Sequence, residues 1–253
     1  MQRVAWLEES PFTLMLSAGF FGFFAHTGLL RALEDRGLKP RRVIGVSAGS
    51  LAGGLWASGM DAGAIADELV SLRRQDFWDP GLPLGGLLRG KKFRDRLGLL
   101  LRRLGISNIE QTPTAFAPIV HDVLRRKPVA LREGPLDEAI VASCTVPAMF
   151  RPVLSRGRVL VDGGVSDRCG FTALDGDRRV LLHFLPSRRR VKWGARAPTP
   201  TEVPGAESLL LLTPDLPKVS PFALDQGPLA YTRAYEHVQR WLEETPEVSR
   251  PAR

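Results

Sequence analysis

Two cysteines in 253 residues, Cys144 and Cys169, are too few for a disulfide framework, and neither belongs to a Cys-x-x-Cys pair. The four histidines are scattered, so no zinc-ligand spacing exists and no metal is expected. Apolar runs such as 97–101 and 208–212 fall far short of the roughly 20 residues a membrane-crossing helix needs. Glu8 and Glu9 precede the first apolar stretch, which does not read as a secretory signal. The dinucleotide fingerprint G-x-G-x-x-G is also missing: Gly19 and Gly22 are present, and Gly28 lies too far along to complete it. No RNP-like aromatic motif and no internal repeat occur. These absences point to a reducing cytosol and to chemistry without a metal or organic cofactor.

What remains is ordinary globular material, 44% apolar and 8% aromatic. The length suits one large α/β domain over 1–253, with no linker to divide it. The net charge is +8, carried by pairs such as Arg41 and Arg42, Arg73 and Arg74, Lys91 and Lys92, Arg102 and Arg103, Arg125 and Arg126, and by the triplet Arg188, Arg189, Arg190. Such a balance is either a solvated basic surface or an attraction to anionic material. Without nucleic-acid motifs, peripheral contact with an anionic membrane is the better expectation and nucleic acid is not expected as a partner.

Along the chain, 12–17 reads as a buried strand and 25–36 as a helix ending at Gly37. Residues 42–45 form a short strand, and 48–58 a helix of small residues. Strand, helix, strand, helix in this order predicts a mostly parallel sheet flanked by helices. Residues 61–110 read as mostly helical, broken at Pro80, Pro83, Gly85 and Gly86. A strand-rich stretch at 115–131 turns near 125–128, and 136–143 is a short helix. Strands follow around a turn at Arg156 and Gly157, then at 180–185 and 209–212, and a helix over 228–243 closes the chain.

Three segments carry chemistry. Gly45-Val46-Ser47-Ala48-Gly49 is a G-x-S-x-G sequence at a strand-to-helix junction, where a serine hydroxyl projects clear of the sheet near a positive helix N-terminus. With fourteen serines in the chain, chance alone yields about 0.14 such matches, so the setting adds weight that the pattern lacks. Ser17 to Gly22 follows the first strand, and its backbone amides, at Ala18, Gly19, Phe20 and Gly22, suit an oxyanion hole. Asp162-Gly163-Gly164 follows the apolar stretch 159–161, where an aspartate can face a neighbouring loop; a tight turn is the plain alternative.

Taken with Ala142-Ser143-Cys144-Thr145-Val146-Pro147-Ala148-Met149-Phe150, these segments resemble the patatin-like phospholipase family over residues 12–170. The resemblance implies a three-layer α/β sandwich and a Ser-Asp dyad. Ser47 would be the nucleophile and Asp162 its base, with Gly45, Gly49, Gly163 and Gly164 supporting them. The substrate would be the carboxylic ester of a lipid. The loop departs from the family's run of glycines followed by Arg-Gly; it carries no arginine and is closer to a Gly-Phe-Leu-Gly type. That departure leaves open a binding module without turnover, and an acyltransferase is a further alternative.

An α/β-hydrolase triad would need a histidine after Asp162, either His183 or His237. His183 sits in an apolar strand and reads as structural, and His237 as a surface residue of the last helix. Only two strands precede Ser47, fewer than that fold places before its nucleophile. His26 reads as a packing or loop-fixing residue, and His121 has no evident partner. Phe12, Phe20, Phe21, Phe23 and Phe24 are candidates for an acyl pocket or for core. Residues 87–104 form a basic amphipathic stretch, either a surface helix or a flap that rests on lipid.

Overall fold

Alternation along the strands decides which residues meet the helices. Leu14 and Leu16, on the first strand, join one buried cluster, and Met15 between them joins the other. The computed structural model describes residues 2–82, 85–186 and 199–250; Pro83 and the triplet at 188–190 lie outside them. In chain order the elements are α1 (Arg3–Glu9), β1 (Thr13–Leu16), α2 (Phe23–Asp35), β2 (Arg42–Val46), α3 (Ala48–Ala57), α4 (Ala62–Val70), β3 (Gly86–Leu88), α5 (Lys91–Arg103), β4 (Ala115–Asp122), β5 (Lys127–Ala130), α6 (Leu136–Ser143), β6 (Ala148–Phe150), β7 (Val153–Ser155), β8 (Arg158–Asp162), β9 (Arg179–Phe184), β10 (Glu207–Leu212) and α7 (Gly227–Glu243).

The sheet order is β10-β9-β1-β2-β4-β8-β7, with β5 paired to β4. The five strands from β10 to β4 are parallel, and β5, β8 and β7 add antiparallel ladders, so the sheet is mixed. Every α-helix contributes to the cluster on one face. Among the described residues, the opposite face, with Met15, Ile44, Val46, Ala117, Ile119, Val180, Leu182 and Phe184, is covered by Cys169, Ala173, Val203 and Ala206. The third layer is therefore built from irregular chain and short 3-10 turns, among them Gly163–Val165 and Phe171–Ala173. Gly28 has a packing role: a Cβ there would meet the Tyr231 carbonyl at 2.6 Å, so its absence lets α2 lie against α7.

Three local expectations change. α1 was not apparent from the sequence, being only seven residues long. β3 interrupts the stretch that reads as helical, and it pairs with β6 in a separate two-stranded ribbon. The basic helix accordingly starts at Lys91, after Gly90 in the left-handed region, and Leu87 and Leu88 belong to β3.

Candidate active site

Ser47 stands at the end of β2 with φ 54° and ψ −118°, a conformation strained for a residue with a Cβ. Close packing enforces it. A Cβ on Gly49 would run into the Leu16 carbonyl, and one on Gly45 would meet the Gly49 carbonyl at 2.6 Å. The start of α3 thus lies directly on β1 and β2. The Ser47 N–H donates to Ser143 Oγ at 2.9 Å, and the Ser143 hydroxyl donates to the Ile119 carbonyl at 2.6 Å. Ser50 Oγ lies 2.7 Å from both Ser143 Oγ and the Gly45 carbonyl. The Cys144 thiol donates to the Ser47 carbonyl at 3.1 Å.

Asp162 ends β8, and parallel and antiparallel pairing through β4 brings it beside β2. The Ser47 hydroxyl donates to Asp162 Oδ2 at 2.6 Å, across 115 residues of sequence. Gly164 N–H donates to the other carboxylate oxygen at 2.8 Å. Gly163 passes against Ile119, leaving no room for a side chain. Asp162 is only 6% exposed. Burial raises its pKa to about 6, against the opposing effects of the Ser47 and Gly164 hydrogen bonds and the Arg168 charge. The same burial, with the Asp162 charge, pushes the Cys144 thiol well up, so it is a poor competing nucleophile.

The loop after β1 lies beside this pair, but two of its four expected amide donors are engaged. Ala18 N–H donates to the Arg168 carbonyl at 2.8 Å, and Gly22 N–H closes a turn onto the Gly19 carbonyl at 2.8 Å. The reading of Ala18 and Gly22 as oxyanion donors is corrected accordingly: a backbone amide has one hydrogen, and theirs are committed to the loop's own shape. Among the described residues nothing accepts from the Gly19 amide. Gly19 and Phe20 line a pocket with Ser47.

That pocket is apolar. Ala48, Leu51 and Leu55 form one stripe of α3 along it, and Phe93, Leu97 and Leu100 form a stripe of α5. Leu51 and Leu55 lie about 6 and about 12 Å further along the helix axis than Ser47, so the groove runs away from the hydroxyl. Phe20, Phe21 and Phe23 line it, whereas Phe12 and Phe24 are core at 1% exposure each. Glu68 and Arg96 reach the same pocket as an ion pair of 3.2 Å, and Arg96 also binds Asp76 at 2.8 Å.

The patatin-like phospholipase family model matches residues 14–175. The chain belongs to the patatin-like phospholipase family. An uncharacterized NTE family protein of Mycobacterium bovis is 35% identical over 167 residues, covering 65% of this chain and 46% of that protein. The match thus spans just under half the length of that relative. A lysophospholipase of Mycosarcoma maydis is 28% identical over 168 residues, 64% of this chain and 9% of that protein. Among solved structures, VipD from Legionella pneumophila superposes with a TM-score of 0.63 at 13% identity, covering 94% of this chain and 68% of that one. The effector ExoU gives 0.51 at 16% identity, over 94% and 54%. At such identities these two speak for the fold alone.

Several residues of this patatin-like chain at the site carry no recognisable sequence signal. Arg168 donates to the Ala18 and Leu185 carbonyls at 3.3 and 3.2 Å, so an arginine from another part of the chain braces a loop that has none of its own. His26 and His183 face each other with Nδ1 atoms 2.9 Å apart, both fully buried. Their other nitrogens lie 2.9 Å from the Ser17 carbonyl and 2.8 Å from Thr213 Oγ1. A carbonyl only accepts, so His26 Nε2 carries a proton, His183 Nδ1 donates to His26 Nδ1, and Thr213 donates to His183 Nε2. This chain of bonds holds Ser17 at the root of the loop. The structural reading of both histidines agrees with their positions, and neither approaches Asp162 through any hydrogen bond among the described residues. His237 binds the Leu212 carbonyl at 2.8 Å and is part-exposed, and His121 has Ser166 Oγ at 2.7 Å as its partner. No group of three or more His, Cys, Asp or Glu able to hold a metal occurs among the described residues.

Proposed function

We propose that this chain is a serine-dependent lipid acyl hydrolase in which Ser47 attacks the ester carbonyl and Asp162 takes its proton. The observation that carries this reading is the 2.6 Å hydrogen bond from the Ser47 hydroxyl to a buried carboxylate, at the head of an apolar groove. Attack forms the Ser47 Oγ–carbon bond while the hydroxyl proton moves to Asp162 Oδ2. The tetrahedral oxyanion is met by the Gly19 amide and by the positive N-terminus of α3. Collapse expels the alcohol, which leaves with the proton from Asp162. Water then repeats the cycle on acyl-Ser47, Asp162 again serving as base.

A carboxylate at its ordinary pKa is a weak base for a serine hydroxyl. Burial raises Asp162 to about 6, which narrows that gap while still leaving it mostly ionised at neutral pH. The groove along α3 suits one fatty acyl chain, and the relative named a lysophospholipase makes a monoacyl lipid the first substrate to try. Fluorophosphonate labelling tests the nucleophile: the wild type labels at Ser47, and the protein is a binding module if it does not. Product analysis with an added alcohol separates hydrolysis from acyl transfer. Ser47→Ala with undiminished esterase activity ends the proposal.

A further inference from the structure

Next to residues of the pocket lining stand exposed apolar side chains that the proposed chemistry does not use. β3 pairs with β6, whose Met149 and Phe150 line the pocket. From this ribbon and its lead-in, Leu87 is 63% exposed and Leu82 74%. The lead-in to β3 also carries Trp78, next to pocket-lining Phe77; Trp78 meets Phe222 edge-on at 5.9 Å, and Phe222 is 74% exposed. Phe20, itself in the pocket wall, is 49% exposed.

Cations surround these side chains. Arg74 lies over both the Phe222 and Trp78 rings, at 5.3 and 5.7 Å. Arg151 donates to the Leu82 carbonyl. Arg89, Lys91 and Lys92 follow β3 directly, and the amides of Lys91 and Lys92 bind Asp79 beside it. Among the described residues, none of Arg73, Arg74, Arg89, Lys91, Lys92 and Arg151 forms an ion pair. The acids nearby are mostly neutralised or buried: Glu68 and Asp76 are held by Arg96, and Asp79 is 8% exposed and caps α5. Asp95 and Asp225 are the exposed acids on the neighbouring helix and turn. Elsewhere some basic residues have acidic partners, as with Arg36, Arg41, Arg42 and Arg179, and others, such as Arg102 and Arg103, have none among the described residues.

We propose that Leu82, Leu87 and Phe222, within this ring of unpaired cations, seat the pocket mouth on an anionic lipid bilayer. Protruding apolar side chains among cations that have no acidic partner match a surface with negative headgroups over hydrocarbon. A folded protein partner would instead favour a flat, contiguous apolar patch. The placement also gives a lipid a short apolar path from the bilayer to Ser47. This deepens the hydrolase reading by naming the surface that presents the ester, and it replaces the basic helix alone with a rim drawn from three chain segments.

The test is co-sedimentation of the full chain with phosphatidylcholine vesicles containing about a third phosphatidylglycerol, beside pure phosphatidylcholine vesicles. Binding should favour the anionic vesicles by at least about tenfold and fall when salt is raised to about 0.5 M, where the Debye length is only about 4 Å. Leu82→Asp with Phe222→Asp should lower that binding by roughly tenfold or more, while turnover of a soluble short-chain ester changes by less than about twofold. Arg74→Glu with Lys92→Glu, which keeps the apolar residues, should lose the preference for anionic vesicles. Leu154→Asp, at an exposed hairpin away from the pocket lining, should bind as the wild type does. Equal retention of the double-Asp variant, or no preference for anionic vesicles, overturns the proposal. So does self-association in place of vesicle binding by light scattering. Vesicle binding needs no turnover, so an inert Ser47 would sink the hydrolase reading and leave this one standing.

Discussion

Asp162, at the end of β8, and the pair of His26 on α2 and His183 near the end of β9 are all buried titratable groups, yet the proposed mechanism gives them opposite tasks. Burial disfavours charge in each case: it raises the Asp162 carboxyl to about 6, lowers His26 to about 4 and holds His183 well below the ordinary imidazole value. The difference lies in what faces them. Both nitrogens of each imidazole are bonded within the protein, which leaves no side open to a substrate. Asp162 spends one oxygen on the Gly164 amide and the other on a hydroxyl that faces the pocket. Under the proposed mechanism a buried charge-bearing group is reactive where a single partner remains exposed to ligand, and structural where none does.

The sharpest way to break this contrast is at the exposed partner. Ser47→Ala should lower kcat/KM for an acyl ester by about 10³-fold or more, measured against a fluorophosphonate-labelled control. Stability comes next, because the two clusters should respond to pH with opposite signs. Asp162 has a folded pKa above its ordinary 3.8, so its ionised form opposes folding. Asp162→Asn should therefore gain up to about 3 kcal/mol above pH 6, with the gain vanishing below pH 4 in urea titrations. His26 has a folded pKa below 6.5, so its contribution is complete above pH 6.5 and is lost as pH falls toward 4. His26→Gln should be less stable at pH 8 by about 1–3 kcal/mol and should flatten the acid decline in that window. If both variants shift stability in the same direction at pH 8, the contrast fails.

A smaller effect refines the reactive side. The Asp162 base must be ionised, so kcat/KM should fall tenfold per pH unit below an inflection near 6, read with a soluble ester over a range where the protein stays folded. The smallest effect belongs to Ser143→Ala. It leaves the Ser47 amide without its acceptor and should cost about 1 kcal/mol, seen as a severalfold slower labelling of Ser47 with the pH inflection unmoved.

Much of the fold was legible where its causes are local. β1, α2, β2 and α3 follow from apolar runs, small-residue periodicity and Gly37, and their bounds differ from expectation by one or two residues. The ribbon of β3 and β6 was not legible, since three-residue strands carry too little periodicity and these pair across about sixty residues. In the loop after β1 only the turn was legible. Its glycines marked a turn, but whether an amide is free depends on which carbonyl approaches it, and the Arg168 carbonyl that occupies Ala18 comes from 150 residues away.

By itself the sequence determined the local chemistry: a serine forced into a strained turn between glycines, an aspartate at a strand end, and enough apolar periodicity for one α/β layer set. Only the tertiary structure decided that the hydroxyl and the carboxylate touch, that the histidines are sealed, and that exposed apolar residues and cations without acidic partners adjoin residues of the pocket lining. Those outcomes depend on strand order and on close approaches between distant segments, and neither is encoded in the spacing of residues along the chain.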